Sequence, residues 1–160
     1  MTVDSEGFRA ALGQLASGVA VVTMHAEGED HGFTATSVTS LSLSPMLVLV
    51  CVAHGQRCHD LLQQARHFAV SLLDSAQTEL GVRFATGSPT QRFAGLTPER
   101  AHTGAPILPE CLAWIDCSVR EILPGGDHSI VIGEVRSAGS RENGLPLVYF
   151  RRQWGTFAAH

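Results

Sequence analysis

Polar and apolar positions alternate along this chain in short runs, and the period switches between two residues and three to four. Residues 5 to about 17 place Phe8, Leu12 and Leu15 on one helical face, with Asp4 as the cap and Gly18 as the terminator. The β-branched run VAVVTM, residues 19 to 24, predicts a strand. A polar turn around Gly28 returns the chain from His31 as its hairpin partner. Leu41 and Leu43 alternate with Ser40, Ser42 and Ser44 at the strand period. After Pro45 the run from Met46 to Val52 reads as a strand buried on both faces.

The second half continues in the same manner. Residues 58 to 67 predict a short helix and 68 to 72 a strand. Asp74 caps a helix over 75 to 84, with Leu80 and Phe84 on its inner face. Residues 85 to 110 are rich in Gly and Pro, with a single helical turn near 90 to 93; a loop this long is usually functional or an interface. Residues 111 to 123 form a long strand, turned by Pro124-Gly125-Gly126-Asp127 into its antiparallel partner, 128 to 137. Asn143-Gly144 turns the chain into a last strand, 147 to 150, followed by a tail from Arg151 to His160. Six or seven strands with three helices around them predict a mainly β fold, a closed antiparallel barrel, in one domain.

Composition narrows the function. A length of 160 residues suffices for one real core, and a net charge of −4 gives nucleic acid no electrostatic foothold. No apolar run approaches the length of a membrane helix, and residues 1 to 12 show no secretory signal, so the expected location is the cytoplasm. Four cysteines without a C-x-x-C pair read as free thiols. His54 and His59 lie near Cys51 and Cys58, but the spacing fits no zinc finger or ribbon, and no metal is expected.

The stretch from His31 to Ala53 carries the candidate chemistry. Its seven hydroxyl residues, from Thr34 to Ser44, let a flat ligand approach the backbone and offer donors to carbonyls and a phosphate. The chain has no G-x-G-x-x-G, P-loop or G-x-S-x-G elbow, so a nucleotide must be bound by another architecture.

Four segments in order supply one: FRAALGQLASGVAVVT, GFTATSVTSLSLSP with LVLVCVA behind it, ELGVRFATGSPTQRFAG, and GGDHSIVIGEV followed by PLVYFRRQW. With them the chain resembles the short-chain flavin reductases, which have the FMN-binding split-barrel fold and typically serve two-component flavin-dependent monooxygenases. The resemblance implies reduction of exchangeable FMN or FAD by NADH or NADPH, release of reduced flavin to a separate monooxygenase, and a homodimer. It puts Thr36 and Ser37 against the isoalloxazine ring, with Thr34, Ala35 and Val38 on the same wall and Ser42 nearer the ribityl chain or phosphate. Cys51, Val52 and Ala53 would meet the ring edge by their backbone. Arg57 and Cys58 open a helix suited to an anion, and Arg83 and Phe84 close the site, with Arg83 on the phosphate. His128, in the Gly-Asp-His segment, would orient the nicotinamide or stabilise reduced-flavin charge. His31, Gly32 and Phe33, with Arg151, Arg152, Gln153 and Trp154, would meet the dinucleotide. A non-enzymatic flavin- or haem-binding module on the same barrel is the alternative, and an oxidase acting on pyridoxamine phosphate is a weaker third.

Overall fold

The computed structural model describes residues 4–157, so Met1 to Val3 and the end of the predicted tail, Ala158 to His160, lie outside the described residues. Helix α1 (Ser5–Leu12) starts where expected, with the Asp4 carboxylate accepting the Gly7 N–H at 2.7 Å. It ends at Gly13 rather than Gly18, because Gln14 and Leu15 close tighter turns on Ala11 and Leu12. Ser17–Gly18 then extend as β1. The stripe Phe8, Leu12 and Leu15 is exposed and faces no core of this chain.

Strands β2 (Ala20–Ala26) and β3 (Glu29–Ala35) form the expected hairpin. Glu27 and Gly28 both take positive φ, 56° and 79°, as a tight two-residue turn between twisted strands requires. Strands β4 (Val38–Leu43) and β5 (Met46–Ala53) make a second hairpin. β5 is not buried on both faces: Val48, Val50 and Val52 are buried, while Leu47, Leu49, Cys51 and Ala53 are only half-covered. An antiparallel strand needs one face on the core, and apolar residues on the other face imitate a doubly buried strand in sequence.

Helix α2 (Arg57–Ala65) leads to β6 (His67–Leu72). Asp74 caps a 3-10 turn, Ser75–Gln77, that runs into α3 (Thr78–Thr86). The Gly/Pro-rich loop carries a 3-10 turn at Pro89–Gln91 and a small ribbon, β7 (Glu99–Arg100) with β8 (Pro106–Ile107). Long strands β9 (Ala113–Gly125) and β10 (His128–Ser140) pair in the predicted hairpin. β11 (Leu147–Phe150) is followed by β12 (Gln153–Thr156), so the anticipated tail is largely a strand paired with its predecessor.

Seven strands form one antiparallel sheet in the order β3-β2-β6-β9-β10-β5-β4. Its two edge strands are consecutive in the chain, joined by Thr36 and Ser37 alone. In a flat sheet they would stand roughly 29 Å apart at about 4.8 Å per strand. Two linking residues span at most about 11 Å. The sheet therefore rolls until its edges meet at this corner. Its concave face encloses Val22, Met24, Val50, Phe68 and Val131, and α2 plugs the end with Leu61 and Leu62. Burying each such side chain stabilises the fold by about 1.5–3 kcal/mol. Gly133 is needed inside the roll, since a Cβ there would sit 2.5 Å from the Phe68 ring.

A second core lies outside the roll under α3, with Val19, Val21, Leu80, Phe84 and Leu147. The long loop is held by polar clasps. The fully buried Asp116 carboxylate takes the Thr103 N–H at 2.8 Å, Thr23 donates its hydroxyl to the Pro106 carbonyl, and Arg100 forks onto Asp30 at 2.7 and 2.9 Å.

Candidate functional site

The edge strand β3, the start of α2 and the end of α3 surround a cavity of about 240 Å³. His31, Gly32, Phe33 and Thr34 form one wall; Gln56, Arg57, Cys58 and Leu61 form the second; Phe84, Ala85, Pro89 and Arg92 close it. Helix α2 begins at this cavity, and its N-cap residue Gln56 makes no side-chain capping bond. Its first N–H groups thus carry their partial positive charge toward the space.

Arg92 is the residue the sequence reading missed. Its Nη1 donates to the Gly32 carbonyl at 2.6 Å and its Nε to the Gly87 carbonyl at 3.1 Å. These bonds fix the guanidinium and leave Nη2 for a ligand. The repeated Arg-Phe-Ala, at residues 83 to 85 and 92 to 94, was the available signal. Arg83, expected on a phosphate, instead donates to the Ala94 carbonyl at 2.8 Å and does not line the cavity. Arg57 lines it and also bonds Glu27 at 2.9 Å across an exposed ion pair. Burial pushes the Cys58 thiol up, against the pull of Arg92 and Arg57, so it stays neutral at pH 7.

Three of the lining residues are already committed to internal contacts. The Thr34 hydroxyl donates to the Gly81 carbonyl at 2.6 Å. The His31 Nε2 lies 3.2 Å from the Ala26 carbonyl, which only accepts, so the proton sits on Nε2. Phe84 is fully buried, meets Phe93 edge-on at 5.0 Å, and crowds Gly32 so closely that a Cβ there would stand 2.9 Å from its ring.

Thr36 and Val38 open on a different space, a groove of about 550 Å³ bounded by Leu15 to Gly18, Ala20, Ser40, Leu72 and Ile115. The Ser37 hydroxyl, between them, both accepts the Cys51 N–H and donates to its carbonyl, each at 3.2 Å. Ala35 and Val52 are buried in the main core, and Ser42 accepts the Ser44 N–H at 3.2 Å. The expected flavin wall therefore wraps the corner where the sheet edges meet, with cavity on one side and groove on the other.

His128 lies at the start of β10, opposite Ala53, and lines neither space. Its Nδ1 stands 2.7 Å from Asp127, and this hydrogen bond holds the Asp127 carboxyl below the ordinary range. The proton belongs on Nδ1, leaving Nε2 outward. Arg151 and Arg152 form the β11–β12 turn, both with positive φ. Arg151 is tied to Gln14 at 2.6 and 3.0 Å and lies over the Phe150 ring. Trp154 packs edge-on to Tyr149 at 5.3 Å and against Gly81, and with Gln153 it borders a depression of about 410 Å³. The structure so distributes the expected residues over the cavity, the adjoining groove, the hairpin and the His128 turn.

The flavin reductase like domain family matches residues 12–158. The chain belongs to this family. It is 39% identical over 160 residues to the actinorhodin polyketide dimerase of Streptomyces coelicolor, covering 99% of this chain and 90% of that protein. It is 37% identical to the reductase component of the 4-nitrophenol 4-monooxygenase/4-nitrocatechol 2-monooxygenase of Rhodococcus opacus, covering 99% and 84%. The structure of the Streptomyces globisporus C-1027 NADH:FAD oxidoreductase SgcE6, in complex with NAD and FAD fragments, superposes with a TM-score of 0.90 at 33% identity, covering 99% of this chain and 97% of that one. Two relatives from Rhizobium meliloti are longer, and the chain spans 62% and 46% of their lengths.

Proposed function

We propose that this protein is an NAD(P)H:flavin oxidoreductase that passes a hydride from NADH to FMN or FAD and releases the reduced flavin to a separate monooxygenase. The observation that carries this reading is the cationic cavity at the start of α2, in a chain of net charge −4 and of this family. Two guanidiniums, uncapped helix N–H groups and a neutral thiol suit a phosphate end, so the residues present fit a flavin nucleotide.

The bound flavin supplies the hydride acceptor. Arg57 and Arg92 hold the phosphate end. Thr36 and Ser37, at the corner where the sheet edges meet, flank the ring, and Val38 leaves room beside it. His128, held by Asp127, orients the nicotinamide through its outward Nε2. The exposed Arg152 takes dinucleotide phosphate. The chain's own contribution is to stack two flat rings and exclude motion, with no nucleophile or metal in the step.

The rolled sheet corresponds to the closed split barrel of the family. The exposed apolar side chains of α1, of the turn after it and of the β4–β5 hairpin, Phe8, Leu12, Leu15, Leu43 and Met46, support a homodimer that covers them. Among the described residues no helix is long and apolar enough to cross a membrane, and the need for a nicotinamide hydride donor supports the cytoplasm as the location.

Anaerobic addition of NADH to the protein with excess FMN or FAD tests the activity. Bleaching of the visible flavin band at catalytic protein concentration is expected. Flavin that binds but is never bleached leaves a non-enzymatic binding module. His128→Ala should raise the NADH KM about tenfold while flavin affinity stays within about twofold. Unchanged NADH kinetics in that variant remove His128 from the reaction.

A further inference from the structure

On the other side of α2 from the cavity, two histidines converge on one hydroxyl. His54, in the β5–α2 connection, has its Nε2 3.1 Å from the Ser129 Oγ, and His59, in α2, has its Nε2 2.9 Å from the same atom. The two rings stand 4.8 Å apart, centre to centre, at 61°. Ser129 is buried at the start of β10, so the point of convergence is walled by strand, helix and loop. The His59 Nδ1 lies 3.0 Å from the Asp60 carboxylate, which can only accept there. That contact puts the proton on Nδ1 and leaves a lone pair on Nε2.

One serine proton cannot serve two imidazole lone pairs. In the metal-free protein the His59 lone pair takes either the Ser129 hydroxyl proton or the Gln63 amide, 3.4 Å away, and the His54 tautomer follows from which one serves it. A small cation satisfies both rings in one tautomer. Two imidazoles bound side by side on one ion with bonds of about 2.1 Å have ring centres roughly 4.6 Å apart at a right angle and roughly 5.3 Å at the tetrahedral angle. The observed 4.8 Å falls between these. Neighbouring ligand atoms on such an ion are about 3.0–3.4 Å apart, close to the 2.9 and 3.1 Å N···O separations. Asp60 on the far nitrogen of His59 is the outer carboxylate that orients a metal-bound imidazole. Among the described residues no third His, Cys, Asp or Glu joins these two rings, and the side-chain oxygen that both rings approach is the Ser129 hydroxyl.

We propose that His54 Nε2, His59 Nε2 and Ser129 Oγ form a binding site for a divalent first-row cation such as Zn²⁺, with water on the remaining positions. This does not rest on the flavin reading. The His54 backbone N–H already donates to the Asp127 carbonyl at 3.0 Å, so an ion held by the His54 ring acts on a segment joined to the turn that carries His128. The ion thereby stiffens the end of the roll between the cationic cavity and His128.

Titration of the full chain with Zn²⁺ alone, followed by calorimetry and by imidazole nitrogen NMR, tests the site. One Zn²⁺ per chain at micromolar affinity is expected, with the His54 and His59 ring signals moving together and the other six histidines unmoved. His59→Gln should weaken binding more than tenfold. Asp60→Asn, at an exposed position that cannot unfold the protein, should weaken it about tenfold. Zn²⁺ should raise the melting temperature of the parent protein and not of His59→Gln. Ring signals of His54 and His59 that ignore Zn²⁺, or equal affinity in the His54→Gln/His59→Gln double variant, overturn the assignment.

Discussion

Two pairs of arginines mark this molecule, and they are built in opposite ways. Arg151 and Arg152 are neighbours in sequence and look like a ready clamp, and both are exposed, yet Arg151 is tied to Gln14 and Phe150, so of the two only Arg152 keeps its guanidinium without a side-chain hydrogen bond among the described residues. Arg57 and Arg92 are 35 positions apart and meet across one cavity. The clamp in sequence pays with left-handed backbone at both positions. The clamp in space costs no such strain, because two backbone carbonyls hold Arg92 from behind. Cationic character is thus strongest where the fold, not the order of residues, assembles it.

Replacing Arg92 is the strongest way to break this contrast. Arg92→Ala should weaken FMN binding about 10- to 100-fold, the range for losing charge-assisted bonds to a phosphate. Riboflavin, which lacks the phosphate, should lose less than threefold. Arg83→Ala, by comparison, should leave both affinities within about twofold. Fluorescence titration with the two flavins reads all of these. Equal losses for FMN and riboflavin would show that Arg92 only props up the cavity wall through Gly32.

The site was legible in part, and the reasons are physical. Hairpins such as β2–β3 were readable because β-branched runs and a glycine turn are local signals. The end of α1 was not, since Ser17–Gly18 extend only because β11, some 130 residues later, pairs with them. The start of α2 at Arg57 was readable from local sequence, and a cavity does lie at that helix end. Arg92 was not, because its anchor on Gly32 lies 60 positions away, and the repeated Arg-Phe-Ala does not by itself say which arginine turns to the cavity. Likewise Thr34 and Ser37 count as hydroxyls in sequence, yet the fold spends both on internal carbonyls.

The cavity wall also depends on a clasp beyond its far end. Burial alone would raise the Asp30 carboxyl, but the hydrogen bonds and charges of Arg100 and His25 overcome it and hold its pKa below the usual value. A depressed carboxylate contributes stability in full above the ordinary aspartate pKa of about 3.9 and loses it as pH falls through the folded value. Arg100→Ala should therefore cost about 0.5–1 kcal/mol at pH 7, the scale of a partly exposed pair. The cost should shrink as pH falls below the ordinary aspartate range and through the lowered folded-state pKa of Asp30, where the carboxylate that Arg100 holds is lost. Urea unfolding at pH 7, 5 and 3 measures it, and a cost that is constant with pH would mean that Arg100 acts through the hydrogen bond it donates to the Gly104 carbonyl instead.

The smallest effect sharpens the comparison from the other pair. Arg152 holds φ at 63°, a conformation that glycine adopts without steric cost. Glycine also gains freedom in the unfolded chain, which offsets part of the relief. Arg152→Gly should thus leave the protein more stable by about 0.5 kcal/mol, a rise of a few degrees at most in melting temperature. If the strain is kept for the dinucleotide, the same variant should raise the NADH KM several-fold with FMN affinity untouched. A more stable variant with unchanged NADH kinetics would assign the hairpin to packing against α1, where Arg151 already reaches Gly13 and Gln14. A less stable one would mean that the Arg152 side chain, despite its exposure, holds the turn in place.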